Sequence, residues 1–222
     1  MNGVTRRRLL AASALFPFLR AGQARADAAD AADTGEPVRR FAPPLPGREI
    51  LRRRCFPDVV LTTHEGRQVR FYEDLLKDKI VVLNLMYANC NGVCPTITAN
   101  LARVQKLLAE RTKQPVFLYS LTVKPEEDTP EKLRAYAEMH HAGPGWLFLT
   151  GKPGDVELLR DKLGFVDLNR QVDEDRSSHS GMVRYGNEPL ALWGACQGQS
   201  RAEWIVKEIS FVIPREGLVN PA

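Results

Sequence analysis

The sequence predicts an α/β domain of three layers around a mixed central sheet, and three observations carry that prediction. Ile80, Val81, Val82, Leu83, Leu85 and Met86 form a nearly unbroken apolar run, the mark of a strand covered on both faces. Ile97, Leu101, Val104 and Leu108 then recur at spacings of four, three and four, the period of one buried helical face. Strand-like and helix-like segments go on alternating beyond that point, and such alternation lays helices over parallel strands.

The elements follow in order. Val59–Thr62 and Gln68–Phe71 flank His64-Glu65-Gly66 and read as a β-hairpin, and Tyr72–Leu76 reads as a short helical turn. Next come the buried strand and the long helix. Val116–Val123 is a second core strand, and the loop after it ends at Thr129-Pro130, a capping residue followed by a proline suited to the first helical turn. That helix carries Leu133, Tyr136, Ala137 and His140 on neighbouring turns. Trp146–Leu149 is a third strand, and Asp155–Gly164 is a helix closed by its glycine. After an irregular acidic segment, Gln171–Ser178, two alternating strands, His179–Tyr185 and Leu190–Trp193, are expected to join at Gly186-Asn187, with Glu203–Phe211 as the closing helix. A hairpin, then βαβαβα, then ββα fits a thioredoxin-like three-layer domain with an N-terminal β-hairpin.

Between the buried strand and its helix lies Cys90-Asn91-Gly92-Val93-Cys94-Pro95. Pro95 suits the opening of a helix, because its missing N–H costs nothing in the first turn. Both cysteines therefore sit at the carboxyl end of a central strand, where open α/β sheets place functional groups. A helix N-terminus also favours thiolate over thiol.

The chain has 222 residues with 31 basic and 27 acidic side chains. Thr5-Arg6-Arg7-Arg8-Leu9-Leu10, the apolar Leu9–Leu19 and Ala24-Arg25-Ala26 read as a twin-arginine signal with its cleavage site, covering residues 1–26. Leu9–Leu19 falls short of the roughly 20 apolar residues needed to span a bilayer, so no permanent membrane span is predicted. Removing residues 1–26 leaves 196 residues with 26 basic and 27 acidic side chains. The near-neutral remainder has no basic stripe with interleaved aromatics and gives no sign of nucleic-acid binding. Residues 27–50 read as a flexible leader, with no structure assigned from Asp27 to Gly47; 51–215 is the folded domain and 216–222 a tail. Export to the periplasm would place four cysteines in an oxidising compartment, so thiols meant for metal need a periplasmic thiol reductant.

Tyr87-Ala88-Asn89-Cys90-Asn91-Gly92-Val93-Cys94-Pro95 resembles the Cys-x-x-x-Cys-Pro turn of the Sco/SenC family of thioredoxin-fold copper-binding proteins. Ser120–Pro130 resembles that family's Ser-x-Asp-Pro-Glu-x-Asp-Thr loop, Phe148-Leu149-Thr150-Gly151 its Leu-Thr-Gly, and His179-Ser180 its late histidine. The resemblance implies copper ligands at Cys90, Cys94 and His179. It implies a metallochaperone delivering copper to a recipient cuproprotein, such as a respiratory cytochrome oxidase subunit. Lys124 and Ser178 stand where the family usually has aspartate, which bears on redox tuning and partner choice.

Two thiolates and an imidazole suit Cu(I) and can hold Cu(II) if a fourth ligand joins, whereas structural zinc normally takes four protein ligands. The alternatives are a thiol-disulfide oxidoreductase using Cys90 and Cys94 as a redox-active pair, or a copper or redox sensor. A plain Cys90–Cys94 disulfide could not bind copper. His64, His140 and His141 read as structural or surface residues, and Met86 and Met182 as packing. Cys55 and Cys196 could bond only if their Cα atoms came within about 7 Å, and are read as unpaired.

Overall fold

The computed structural model describes residues 46–167, 169, 171, 173 and 181–219. Its strands are β1 (Val60–Thr63), β2 (Gln68–Arg70), β3 (Ile80–Met86), β4 (Val116–Thr122), β5 (Trp146–Gly151), β6 (Met182–Asn187) and β7 (Leu192–Gln197). They form one sheet in the order β2-β1-β5-β4-β3-β6-β7. The β3–β4 and β4–β5 pairs are parallel and the others antiparallel, so the sheet is mixed as expected.

Every residue of β3 is buried, which its apolar run requires. Its one polar side chain, Asn84, accepts from the Ser120 hydroxyl at 2.7 Å, and Ser120 accepts from the Trp146 indole at 2.9 Å. Three neighbouring strands thus satisfy one another's buried polar atoms.

Helices α1 (Gly47–Cys55), α2 (Cys94–Arg111), α3 (Pro130–Met139), α4 (Pro153–Lys162) and α5 (Ala202–Ser210) complete the fold, with a π-helical turn at Phe71–Leu76. The β3-α2-β4 and β4-α3-β5 crossovers step across the sheet in the same direction. Right-handed connections therefore put α2 and α3 on one face, where the Thr98 and Tyr136 hydroxyls meet at 3.0 Å. Helix α5 shares that face, where it packs against α2, and the Tyr185 hydroxyl of β6 donates to its Glu208 at 3.2 Å. Arg184, the next residue on the strand, points the other way and donates to the Gly164 carbonyl at 2.8 Å, just past α4. Helix, sheet and helix make the three layers. Asp173, in the acidic segment, is ion-paired to Arg160 of α4 at 2.5 Å.

The capping signals are realised: Thr129 accepts from the Lys132 N–H at the start of α3, and Gly164 takes a φ of 66° after α4. The last hairpin departs from expectation. Strand β6 runs through Gly186 and Asn187, and the chain turns over Glu188–Ala191, with Ala191 at a φ of 54°. Gly186 serves close packing, since a Cβ there would lie 2.2 Å from the Trp193 ring. Glu188 closes the turn by donating its N–H to the Lys79 carbonyl at 3.0 Å.

Helix α1 was not expected, because its Arg-rich sequence has no apolar period. Tertiary contacts hold it. Arg48 binds both oxygens of Glu188 at 2.7 and 2.6 Å, the Arg52 guanidinium lies 4.9 Å from the Tyr72 ring, and Phe56 packs on Trp193 at 4.5 Å. Among the described residues no helix is long and apolar enough to cross a membrane. The predicted signal at 1–26 and most of the predicted leader lie outside the described residues.

Candidate metal centre

The turn after β3 delivers Cys90, and Cys94 is the first residue of α2; their side chains are 5% and 1% exposed. All four cysteines of the chain are unbridged. Val93, which precedes α2, has no side-chain oxygen to cap it, and the N–H groups of Gly92 and Cys94 are turned onto the Cys90 sulfur. The Cys94 thiol and the Tyr87 hydroxyl also act electrostatically on that sulfur. Burial opposes ionisation of Cys90, yet these donors together lower its pKa. Cys94 is pushed well above the ordinary thiol range, by burial first and by neighbouring Cys90 next. Cys90 is therefore the sulfur that ionises first, and taking both protons off needs something that stabilises two adjacent thiolates.

The loop after β4 braces this turn. Asp128, 2% exposed, accepts from the Ala88 N–H at 3.1 Å and from the Thr122 hydroxyl. The Lys124 N–H donates to Thr122 Oγ1 at 3.0 Å, and Val123 to the Met86 carbonyl at 2.9 Å. The Lys124 ammonium lies 4.5 Å from the Tyr87 ring centroid. Neither Asp128 nor Tyr87 was singled out from the sequence. Both lie within the stretches that carry the family resemblance, but their roles depend on two distant loops meeting. Tyr136, beside Thr98, has its phenol pushed up to about 12, chiefly by burial.

His179 and Ser178 lie outside the described residues. Gly181, two positions after His179, has a φ of 60°, and a Cβ there would lie 3.1 Å from Ile97 Cδ1 on the first turn of α2. Its carbonyl accepts from the Gly198 N–H at 2.8 Å. Among the described residues no group of three or more His, Cys, Asp or Glu side chains could hold a metal ion. Two soft sulfurs side by side fit one thiophilic ion.

His64 Nδ1 accepts from the Phe148 N–H at 3.2 Å, and the His140 ring packs 4.4 Å from that of Tyr136. Met86 is buried in the core, and Met182 is part-buried where β6 begins. Cys196 pairs across the strands with Val183, on the sheet face that carries α5, and burial pushes its thiol up to about 11. Cys55 lies within electrostatic reach of Arg184, on the opposite face. The sheet separates the two.

A family model described as SCO1/SenC matches residues 52–212. A protein of Stutzerimonas stutzeri named for copper binding is 26% identical over 166 residues, covering 74% of this chain and 78% of its own length. Among solved structures, Arabidopsis thaliana ScoI with copper bound is similar with a TM-score of 0.57 at 18% identity, over 69% of this chain and 94% of its own. BsSco, described as a member of the Sco family of cytochrome c oxidase assembly proteins with a disulfide switch, is similar with a TM-score of 0.57 at 23% identity, over 69% of this chain and 90% of its own. Those two likenesses establish a shared thioredoxin-like fold. The family match covers most of the chain, and with the cysteine turn and the sheet order it shows that this protein belongs to the SCO1/SenC family.

Proposed function

We propose that this chain is a periplasmic metallochaperone that carries copper on Cys90, Cys94 and His179 and passes it by ligand exchange to a respiratory cytochrome oxidase or a related cuproprotein. The observation that carries the reading is the pair of unbridged thiols in direct contact at the β3–α2 junction of a SCO1/SenC fold. The Stutzerimonas relative is named for copper binding, and a fold neighbour holds copper. Two thiolates and one imidazole suit Cu(I) and leave a position open, as a donor of metal needs. His179 is included on the resemblance of His179-Ser180 to the family's late histidine. Residues 1–26 would direct export, and a thiol reductant would keep the pair open.

The test is titration of the reduced protein with Cu(I) and then Cu(II), followed spectroscopically in the parent and in Cys90→Ser, Cys94→Ser and His179→Ala. One equivalent bound by the parent and weakened in each variant supports the assignment. Variants that hold copper as tightly as the parent overturn it. The unequal thiols favour one second reading, a thiol-disulfide oxidoreductase in which Cys90 attacks first. His179→Ala separates the two, since exchange needs no imidazole and copper delivery does.

A further inference from the structure

The sheet ends in two unlike borders. Strand β2, at one border, has three residues and carries charge at Arg70, with Arg67 just before it. A short, charged edge discourages pairing with another strand. Strand β7, at the other border, is Leu192-Trp193-Gly194-Ala195-Cys196-Gln197, six residues with no charge and no proline. Among the described residues it is paired on one side only, to β6. Alternate N–H and C=O groups of such a strand point away from the sheet, where another strand can take them up.

An aromatic row follows this border. Helix α5 packs on β7 and against α2. Trp204 and Phe211, 45% and 69% exposed, lie seven positions apart on one side of α5 with Glu208 between them. That side overlooks β7: Glu208 accepts from the Tyr185 hydroxyl, and the Tyr185 ring leans so far over Gly194 that a Cβ there would lie 2.6 Å from its Cζ. Leu192, 46% exposed, extends the apolar surface at the start of the strand.

This surface is complementary to itself. A two-fold axis through Gly194 pairs β7 antiparallel with a copy of itself and sets the two α5 helices antiparallel on the same face of the sheet. Because Glu208 stands above Gly194, the axis runs beside the middle of α5. Trp204 then meets the partner's Phe211, and Lys207 meets the partner's Glu208, since both pairs are centred on the same point of the helix. One axis thus satisfies the open strand, covers the aromatic row and joins opposite charges. We infer that the β7–α5 border is a self-association surface through which two copies of this chain join their seven-stranded sheets edge to edge. The inference uses no property of Cys90, Cys94 or His179.

The test is sedimentation velocity of the full purified protein, its cysteines kept reduced, from about 1 μM to about 200 μM. A reversible dimer should form across this range. Trp204→Ala and Phe211→Ala should each weaken it about 25-fold, because each removes the same anchor twice at roughly fivefold per contact. Lys207→Glu should weaken it about fivefold, and adding Glu208→Lys should restore it. Hydrogen exchange should slow with concentration at alternate amides of β7 and stay unchanged at β2. Trp204, Phe211 and Lys207 are exposed, and melting curves of each variant confirm that folded proteins are being compared.

A parent that stays monomeric at the highest concentration overturns the inference and leaves the edge to a strand from a different protein. A dimer indifferent to the aromatic substitutions, a charge exchange that fails to restore association, or β7 amides that exchange alike at all concentrations overturns it as well. Each of these failures leaves the metallochaperone reading standing, and failure of the copper titrations leaves the dimer intact.

Discussion

The two ends of β3 are built on opposite principles. Below Ile80, Glu188 is a buried carboxylate, 2% exposed, whose oxygens take two hydrogen bonds from Arg48, one from the Tyr72 hydroxyl at 2.7 Å and one from the Asp78 N–H at 2.8 Å. Above Met86, two buried sulfurs lie side by side at the start of α2, with the Gly92 and Cys94 N–H groups acting on Cys90. A fully satisfied buried network locks the chain it joins, here α1 to the β6–β7 turn. Two neighbouring thiols can give up their protons to a metal ion or join in a reversible disulfide. On the proposed function, permanence and exchange are separated by the length of one strand.

The comparison can be broken from either end, starting with the largest effect. Cys90→Ser and Cys94→Ser should each weaken Cu(I) binding beyond the 10–100-fold, in round terms, that changes around a metal's ligands cost, as read by chelator competition, with little change in melting temperature. Glu188→Ala should do the reverse. Breaking a buried pair costs about 3–5 kcal/mol, and the half-exposed Arg48 places this one near about 3 kcal/mol by denaturant unfolding, with copper affinity retained.

The same cluster sets a pH dependence. Burial acts to raise the Glu188 pKa, but the hydrogen bonds from Arg48, Asp78 and Tyr72 outweigh it, so the folded-state value is lowered from 4.5. Its contribution is therefore complete above about pH 4.5 and is lost as pH falls through the lower, folded value. Glu188→Gln should flatten that acid limb of the melting curve while leaving the neutral and alkaline parts parallel to the parent. Asp128→Asn, which weakens the acceptor for the Ala88 N–H, should cost about 1 kcal/mol and should affect the cysteine turn more than the rest of the fold, as read by hydrogen exchange at Ala88. Smallest of all, part-exposed Cys55→Ser should change stability by no more than about 0.5 kcal/mol.

The same contrast explains what was legible in the sequence. Strand β3, the buried face of α2 and the Thr129-Pro130 start of α3 could be read because their signals are local: an apolar run, a period and a cap. Cys90 and Cys94 were legible for the same reason, being four positions apart on one strand–helix junction. Helix α1 was not, because Arg48 and Arg52 find their partners at Glu188 and Tyr72, on distant segments. The last turn was misplaced because Gly186-Asn187 has turn composition, while the glycine is needed to admit the Trp193 ring. Asp128 and Tyr87 became meaningful only once the loop after β4 was seen against the cysteine turn.

The most direct measurement is X-ray absorption of the reduced protein loaded with one equivalent of Cu(I). Two sulfur neighbours and one imidazole nitrogen are predicted, with one sulfur lost in Cys94→Ser and the imidazole lost in His179→Ala. A copper environment without sulfur, or one that neither substitution alters, would contradict the account.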